Sequence, residues 1–96
     1  MASFRLTPAA QRDLSHIWDY TKEHWDAHQA ETYIGEIRSA IERIADDPGR
    51  GRTCGDIREN YRRYRIGSHA VFYVAAGDGV DVIRILHQRM DPTRHL

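Results

Sequence analysis

The chain predicts an α+β domain: a helical hairpin packed on an antiparallel sheet, in the order β-α-α-β-β-β. Three observations lead there. Residues 8–24 and 26–46 carry apolar side chains at helical spacing. Residues 61–66, 69–75 and 80–87 are short, rich in Val, Ile, Tyr and Phe, and separated by glycine-containing turns. The length, 96 residues, suits one small core, so 1–96 is read as a single domain.

Ser3-Phe4-Arg5-Leu6 reads as a short first strand. Thr7 followed by Pro8 is a helix start, with Thr as N-cap and Pro at the first helical position. Leu14, Ile17, Trp18, Thr21 and Trp25 then share one face, so both tryptophans are expected in the core. Arg12, Asp13, Asp19, Lys22 and Glu23 lie opposite. Asp26 opens the second helix, with Gln29 at the capping-box position. Its stripe is Ala30, Tyr33, Ile34, Ile37, Ile41 and Ile44. Gly35 inside it should cost about 1 kcal/mol relative to Ala, which a close helix–helix contact would explain. Pro48 ends the helix near Asp46.

Residues 48–60, PGRGRTCGDIREN, read as a loop rich in Gly and Arg. A strongly basic strand follows, Tyr61–Ile66. Gly67-Ser68 suits a type II′ turn into a second strand, His69–Ala75. Gly77-Asp78-Gly79 turns into a third, Val80–His87. Alternation puts Ile83, Ile85 and His87 toward the helices, and Val82, Arg84 and Leu86 on an open, half-apolar face. Small proteins seldom leave such a face bare. Either the aperiodic tail, Gln88–Leu96, covers it, or a partner does.

Composition narrows the function classes. At 41% hydrophobic and 29% charged, the chain reads as soluble and globular. No stretch approaches the ~20 apolar residues of a membrane span, and the N-terminus lacks a signal-peptide core. A cytoplasmic protein with no membrane partner is therefore expected. Cys54 is the single cysteine, so no internal disulfide forms, and no His/Cys cluster suggests zinc. His24 and His28 have i, i+4 spacing, but a helix break falls between them. No metal or cofactor is expected. Residues 1–49 hold five Lys/Arg and nine Asp/Glu, a net of −4; residues 50–96 hold nine Arg and five Asp/Glu, a net of +4. Either the halves neutralise each other within the fold, or the basic half meets nucleic acid or an acidic protein.

The stretch YRRYRIGSHAVFYVAAGDGVDVIRILHQRMDPTRHL, from Tyr61 to Leu96, resembles the ParE toxins. Its most telling pieces are Gly67-Ser68-His69, Phe72-Tyr73, the run Arg84–Asp91, and Arg94-His95-Leu96. Upstream, Leu6–Ala10, Asp13-Leu14, Ile17-Trp18, Gln29–Glu31, Pro48 and Gly51-Arg52 also match the family pattern. The resemblance covers essentially the whole chain in the right order. It implies a RelE/ParE-like fold and a toxin neutralised by a ParD-type antitoxin. The antitoxin's C-terminal segment would fold on the toxin, and its N-terminal domain would bind operator DNA, so the toxin meets DNA only indirectly. The implied target is DNA gyrase, inhibited by protein binding rather than catalysis. Tyr61, Arg62, Val82, Arg84, Leu86, Arg89, Met90, Asp91, Arg94 and Leu96 are expected to contact antitoxin or target. His69, Tyr73 and His87 are expected to orient or support them. The tail is expected to pack along the sheet, anchored by Met90 and Leu96, with separate partners for Arg89 and Asp91.

The alternative is a RelE-type, ribosome-dependent messenger RNA endoribonuclease. Cleavage at a 2′-hydroxyl needs proton transfer and cations around the phosphorane. Arg62, Arg63, Arg65, Arg84, Arg89 and His87 are the residues available. No Lys lies in the sheet or loop, and His87 and Arg84 fall on opposite strand faces. His87 therefore reads as a half-buried orienting residue, and no catalytic residue is assigned. A third class is a toxin-like subunit that has lost activity and serves only as co-repressor.

Overall fold

The computed structural model describes residues 2–96. β1 (Phe4–Leu6) leads into α1 (Pro8–His24), α2 (Ala27–Asp46), a 3₁₀ turn (Pro48–Arg50), β2 (Arg52–Thr53), β3 (Arg62–Ile66), β4 (His69–Ala76), β5 (Gly79–His87) and α3 (Pro92–His95). The expected caps form. The Thr7 hydroxyl accepts the Ala10 N–H at 3.1 Å, and Asp26 Oδ1 accepts the Gln29 N–H at 2.7 Å. Each cap satisfies a backbone donor that the first helical turn leaves without a partner.

The sheet runs β1-β5-β4-β3-β2. β2 to β5 are antiparallel, but β1 pairs with β5 in parallel, making the sheet mixed. Tight turns force β3, β4 and β5 to alternate in direction. β1 reaches β5 only through the helical hairpin, so no turn dictates its direction. Two elements appear where sequence reading expects loop or irregular tail. β2 spans two residues and α3 four, too short for any periodic pattern. α3 does repeat the start signal of α1, an Asp91 cap followed by Pro92.

Ile17, Ile37, Ile41 and Ile44 of the hairpin pack on Val71, Tyr73, Val80, Val82 and Ile85 of the sheet's inner face. On the outer face a smaller cluster joins Cys54, Phe72 and Leu86 to Ile57, Tyr61, Ala70 and Leu96. A β-bulge decides which residues belong where. Phe72 pairs with Arg84 and the next residue, Tyr73, pairs with Val82, leaving Ile83 unopposed. The extra residue shifts the alternation by one. Val82 and Ile85 therefore both face the helices, and Val82 is fully buried rather than on an open face. Leu86 does lie on the outer face, yet it too is buried, under Leu96 and the segment around Cys54.

Two further expectations are corrected. Trp25 is 72% exposed. It is the C-cap residue, at φ −128° and ψ −93°, so helical phase no longer places it beside Thr21. Gly35 makes no close helix contact, since an added Cβ would meet nothing within 4 Å. Gly35→Ala should therefore raise stability by about 0.5–1 kcal/mol. Gly51→Ala is the contrast: its Cβ would collide with the Tyr73 hydroxyl and the Arg63 carbonyl, at a cost of about 1–3 kcal/mol. Urea unfolding checks both, with opposite shifts of the midpoint and an unchanged slope.

Candidate functional site

Beyond Leu6 the chain leaves the sheet, and the outer edge of β5 loses its partner strand. Two residues close this edge, Thr7 and Asp13. The Thr7 N–H donates to the Val82 carbonyl at 3.0 Å, and its hydroxyl donates to the Ile83 carbonyl at 2.7 Å. Asp13 of α1 accepts the Ile85 N–H on Oδ2 at 2.9 Å. The same carboxylate takes Arg84 as a two-bond fork, Nε to Oδ2 and Nη2 to Oδ1, both at 2.8 Å. Arg84 Nη1 then donates to the His95 carbonyl at 3.2 Å. The Arg84 and Asp13 side chains are only 22% and 11% exposed, so this charge-assisted fork is largely shielded from water. Hydrogen bonding to Asp13 holds the Arg84 guanidinium further above its ordinary range.

A groove of about 740 Å³ runs across the outer face. Its geometry follows from strand register. One row crosses the sheet as Arg52, Arg63, Phe72 and Arg84; the next holds Arg65, Ala70 and Leu86. Arg50 and Arg52 extend the basic lining, and Gln88, Met90 and Pro92 of the tail complete it. Arg84 is neutralised by Asp13. Among the described residues, Arg50, Arg52, Arg63 and Arg65 have no carboxylate partner. Arg65 donates only to Gln88 Oε1, at 2.9 Å. The loop carrying Arg50 and Arg52 is pinned from the inner side. The buried Tyr73 hydroxyl donates to the Pro48 carbonyl and accepts the Gly51 N–H, both at 2.8 Å. Arg62 Nη1 donates to the Gly51 carbonyl at 2.8 Å. Burial pushes the Tyr73 phenol up, so it stays protonated and able to donate.

At one end of the groove a Tyr–His cluster closes the β3–β4 turn. The Tyr33 hydroxyl donates to the Ile66 carbonyl at 3.2 Å, accepts the Ser68 N–H at 3.2 Å and shares a hydrogen bond of 2.6 Å with His69 Nδ1. The His69 and His87 rings meet edge-on, centroids 5.2 Å apart. His87 Nδ1 accepts the Arg89 N–H at 3.1 Å. Burial, then the neighbouring His87, pushes His69 down to about 4. His69 is thus neutral at pH 7.

The other expected site residues separate into distinct places. Tyr61 and Leu96 support the outer cluster, and the Leu96 carbonyl accepts Arg58 Nη2 at 3.3 Å. Met90 is 36% exposed on the groove wall, so it is a weaker anchor than sequence suggests. Asp91 Oδ1 caps α3 by accepting the Thr93 hydroxyl and N–H at 2.8 and 3.0 Å, bonds that hold its carboxyl below the usual range. Arg94 is exposed, 3.9 Å from Asp91, and Arg89 is exposed. His87 lines the same groove as Arg63 and Arg65, a lining that does not include Arg84. The fork on Asp13 and the pinning of Arg50 and Arg52 are not legible in sequence, since Asp13 lies 71 residues from Arg84. Among the described residues no helix is long and apolar enough to cross a membrane, and no group of three His, Cys, Asp or Glu is placed to hold a metal.

The histidine cluster gives a pH dependence of definite sign. The unfolded chain protonates His69 near 6.5, the folded chain near 4. Between these values the unfolded state binds more protons, so stability falls as pH drops from about 6.5 to about 4 and is unaffected by this group above that window. Thermal midpoints across this range should decline more steeply for the native chain than for His69→Gln. Equal slopes would show that His69 does not resist protonation.

Similarity to known proteins agrees with this architecture. The family model for the ParE toxin of type II toxin–antitoxin systems, parDE, matches residues 4–92. Toxin ParE1 of Mycobacterium tuberculosis is 49% identical over 94 residues, covering 97% of this chain and 96% of the relative. Among solved structures, a chromosomal ParDE toxin–antitoxin system from P. aeruginosa superposes with a TM-score of 0.76 at 17% identity, covering 91% of this chain and 96% of the other. The RelB–RelE antitoxin–toxin complex from Methanococcus jannaschii does so with a TM-score of 0.50 at 19% identity, covering 88% and 91%. The structures share the fold; the family model and the relative establish descent, and the chain belongs to the ParE toxin family of type II toxin–antitoxin systems.

Proposed function

We propose that the chain is a protein-binding toxin, held inactive by a ParD-type antitoxin and inhibiting DNA gyrase when released. The observation that carries this reading is the outer-face groove, whose arginines are unpaired while its polar neighbours are already engaged. Arg84 is spent on Asp13 and the His95 carbonyl, His87 Nδ1 accepts a backbone N–H, and no Lys lines the groove. Such a surface suits recognition by charge and shape more than proton transfer. The system names of the relatives support an antitoxin partner. Tyr61, Leu86, Met90 and Leu96 would support the antitoxin-binding face, and the exposed Arg89 and Arg94 would form part of the toxic surface. The ribonuclease alternative keeps one observation in its favour: His87 shares the groove with Arg63 and Arg65.

Purified toxin should block gyrase supercoiling, leave messenger RNA on translating ribosomes intact, and be neutralised by the antitoxin of the adjoining gene. Cleaved messenger RNA with supercoiling intact would favour the ribonuclease. Arg89→Ala with Arg94→Ala should abolish toxicity at unchanged thermal midpoint, because both side chains are exposed and such substitutions shift stability by less than about 0.5 kcal/mol. Full toxicity in that double variant would remove the tail from the toxic surface.

A further inference from the structure

Arg52 and Arg63 stand directly opposite each other in the β2–β3 ladder, and Arg65 follows two residues along β3 on the same face, about 7 Å away. With Arg50 they line the outer-face groove, and no Asp or Glu belongs to that lining. Like charges directly opposite destabilise a sheet. Among the described residues no carboxylate pairs with any of the four arginines. The loop that carries two of them is nevertheless fixed. Gly51, between Arg50 and Arg52, is fastened at its N–H by Tyr73 and at its carbonyl by Arg62. The positive charges are therefore gathered before any ligand arrives, and a bound anion relieves repulsion without having to break an ion pair.

We propose that Arg50, Arg52, Arg63 and Arg65 form a binding site for a free polyphosphate anion, either inorganic triphosphate or the triphosphate of a nucleotide, recognised through its phosphates alone. This goes beyond the protein-binding reading and does not depend on it. Guanidinium groups take phosphate oxygens in two-bond geometry. One phosphate can face the opposed pair Arg52 and Arg63, and reaching Arg65 along the strand needs further phosphates in the same chain. The base of a nucleotide finds no partner. Stacking needs an open ring, but Phe72 is 2% exposed and Tyr64 packs against the helix-side core. Single-stranded nucleic acid fits less well for the same reason. A ligand that binds only the folded chain also raises its stability, so occupancy of the site is readable as a thermal shift.

The test titrates the full chain with inorganic triphosphate, ATP, AMP and a short oligouridylate, by calorimetry and by thermal shift. The buffer is free of magnesium, since a bound cation would neutralise the phosphates. Triphosphate and ATP should bind within about threefold of each other, and AMP at least about tenfold more weakly. The affinity for triphosphate should collapse between about 50 and 300 mM salt. Arg63→Gln with Arg65→Gln should lose at least about tenfold in affinity for triphosphate, while its midpoint without ligand stays at or above the native value because the repulsion is relieved. Arg52→Gln alone serves if the double variant does not fold. Arg38→Gln with Arg43→Gln removes two exposed arginines of α2 and should leave the affinity unchanged. Several results would overturn the proposal: AMP binding as tightly as triphosphate, ATP far exceeding triphosphate, oligouridylate exceeding both, or an equal loss in the α2 control, which would reduce the effect to net charge.

Discussion

The fold turns on one carboxylate. β1 is three residues long and stops at Leu6, leaving β5 with unpaired backbone at its outer edge. An unpaired N–H there must meet water, a side chain or a penalty. Asp13 supplies the partner and, in the same place, holds Arg84. The bulge at Ile83 sends Val82 and Ile85 into the core together and leaves Arg84 between them in reach of α1. Through Arg84 the constraint reaches the His95 carbonyl, so one carboxylate links the first helix, the last strand and the C-terminal turn. Removing one member of a shielded pair leaves the other charged and unpartnered, which typically costs about 3–5 kcal/mol.

The outer face inherits its character from this arrangement. With Arg84 neutralised, Arg50, Arg52, Arg63 and Arg65 supply the charge of the groove, and the C-terminal turn brings Leu96 over Leu86 and Phe72. Tyr73 belongs to the inner core, but its hydroxyl passes to the loop and fixes where Arg50 and Arg52 stand. Packing on the helix side thus sets charge geometry on the other side. The same economy applies to the neutral His69, which braces the β3–β4 turn through Tyr33.

Much of this was legible in the chain. Thr7-Pro8 and Asp26 announced both helix starts, the isoleucines of α2 announced its buried stripe, and Gly67 announced its turn, which it enters at φ 56°. Periodicity could not reveal β2 or α3, which are shorter than any repeat. Nor could it anticipate a bulge: one unopposed residue, Ile83, puts the two sides of the strand out of phase, and this moved Val82 from the open side to the core while Ile85 and Leu86 kept their faces. Trp25 falls off the apolar stripe because it stands one residue past the last helical turn. Of the candidate site, the arginines and His87 could be named, but not their partners. Asp13 reads as an ordinary polar-face residue because the group that uses it is 71 residues away. Arg50 and Arg52 looked like loop charges because the tyrosine that holds them lies two strands away in the sheet.

The central claim, that the Asp13–Arg84 fork joins hairpin, sheet edge and C-terminal turn into one cooperative unit, is tested most directly by a double-mutant cycle. Asp13→Ala, Arg84→Gln and the double variant would be compared by urea unfolding. The account predicts that the double variant is little less stable than either single one, with a coupling of about 2 kcal/mol or more. Additive losses, with coupling near zero, would contradict it.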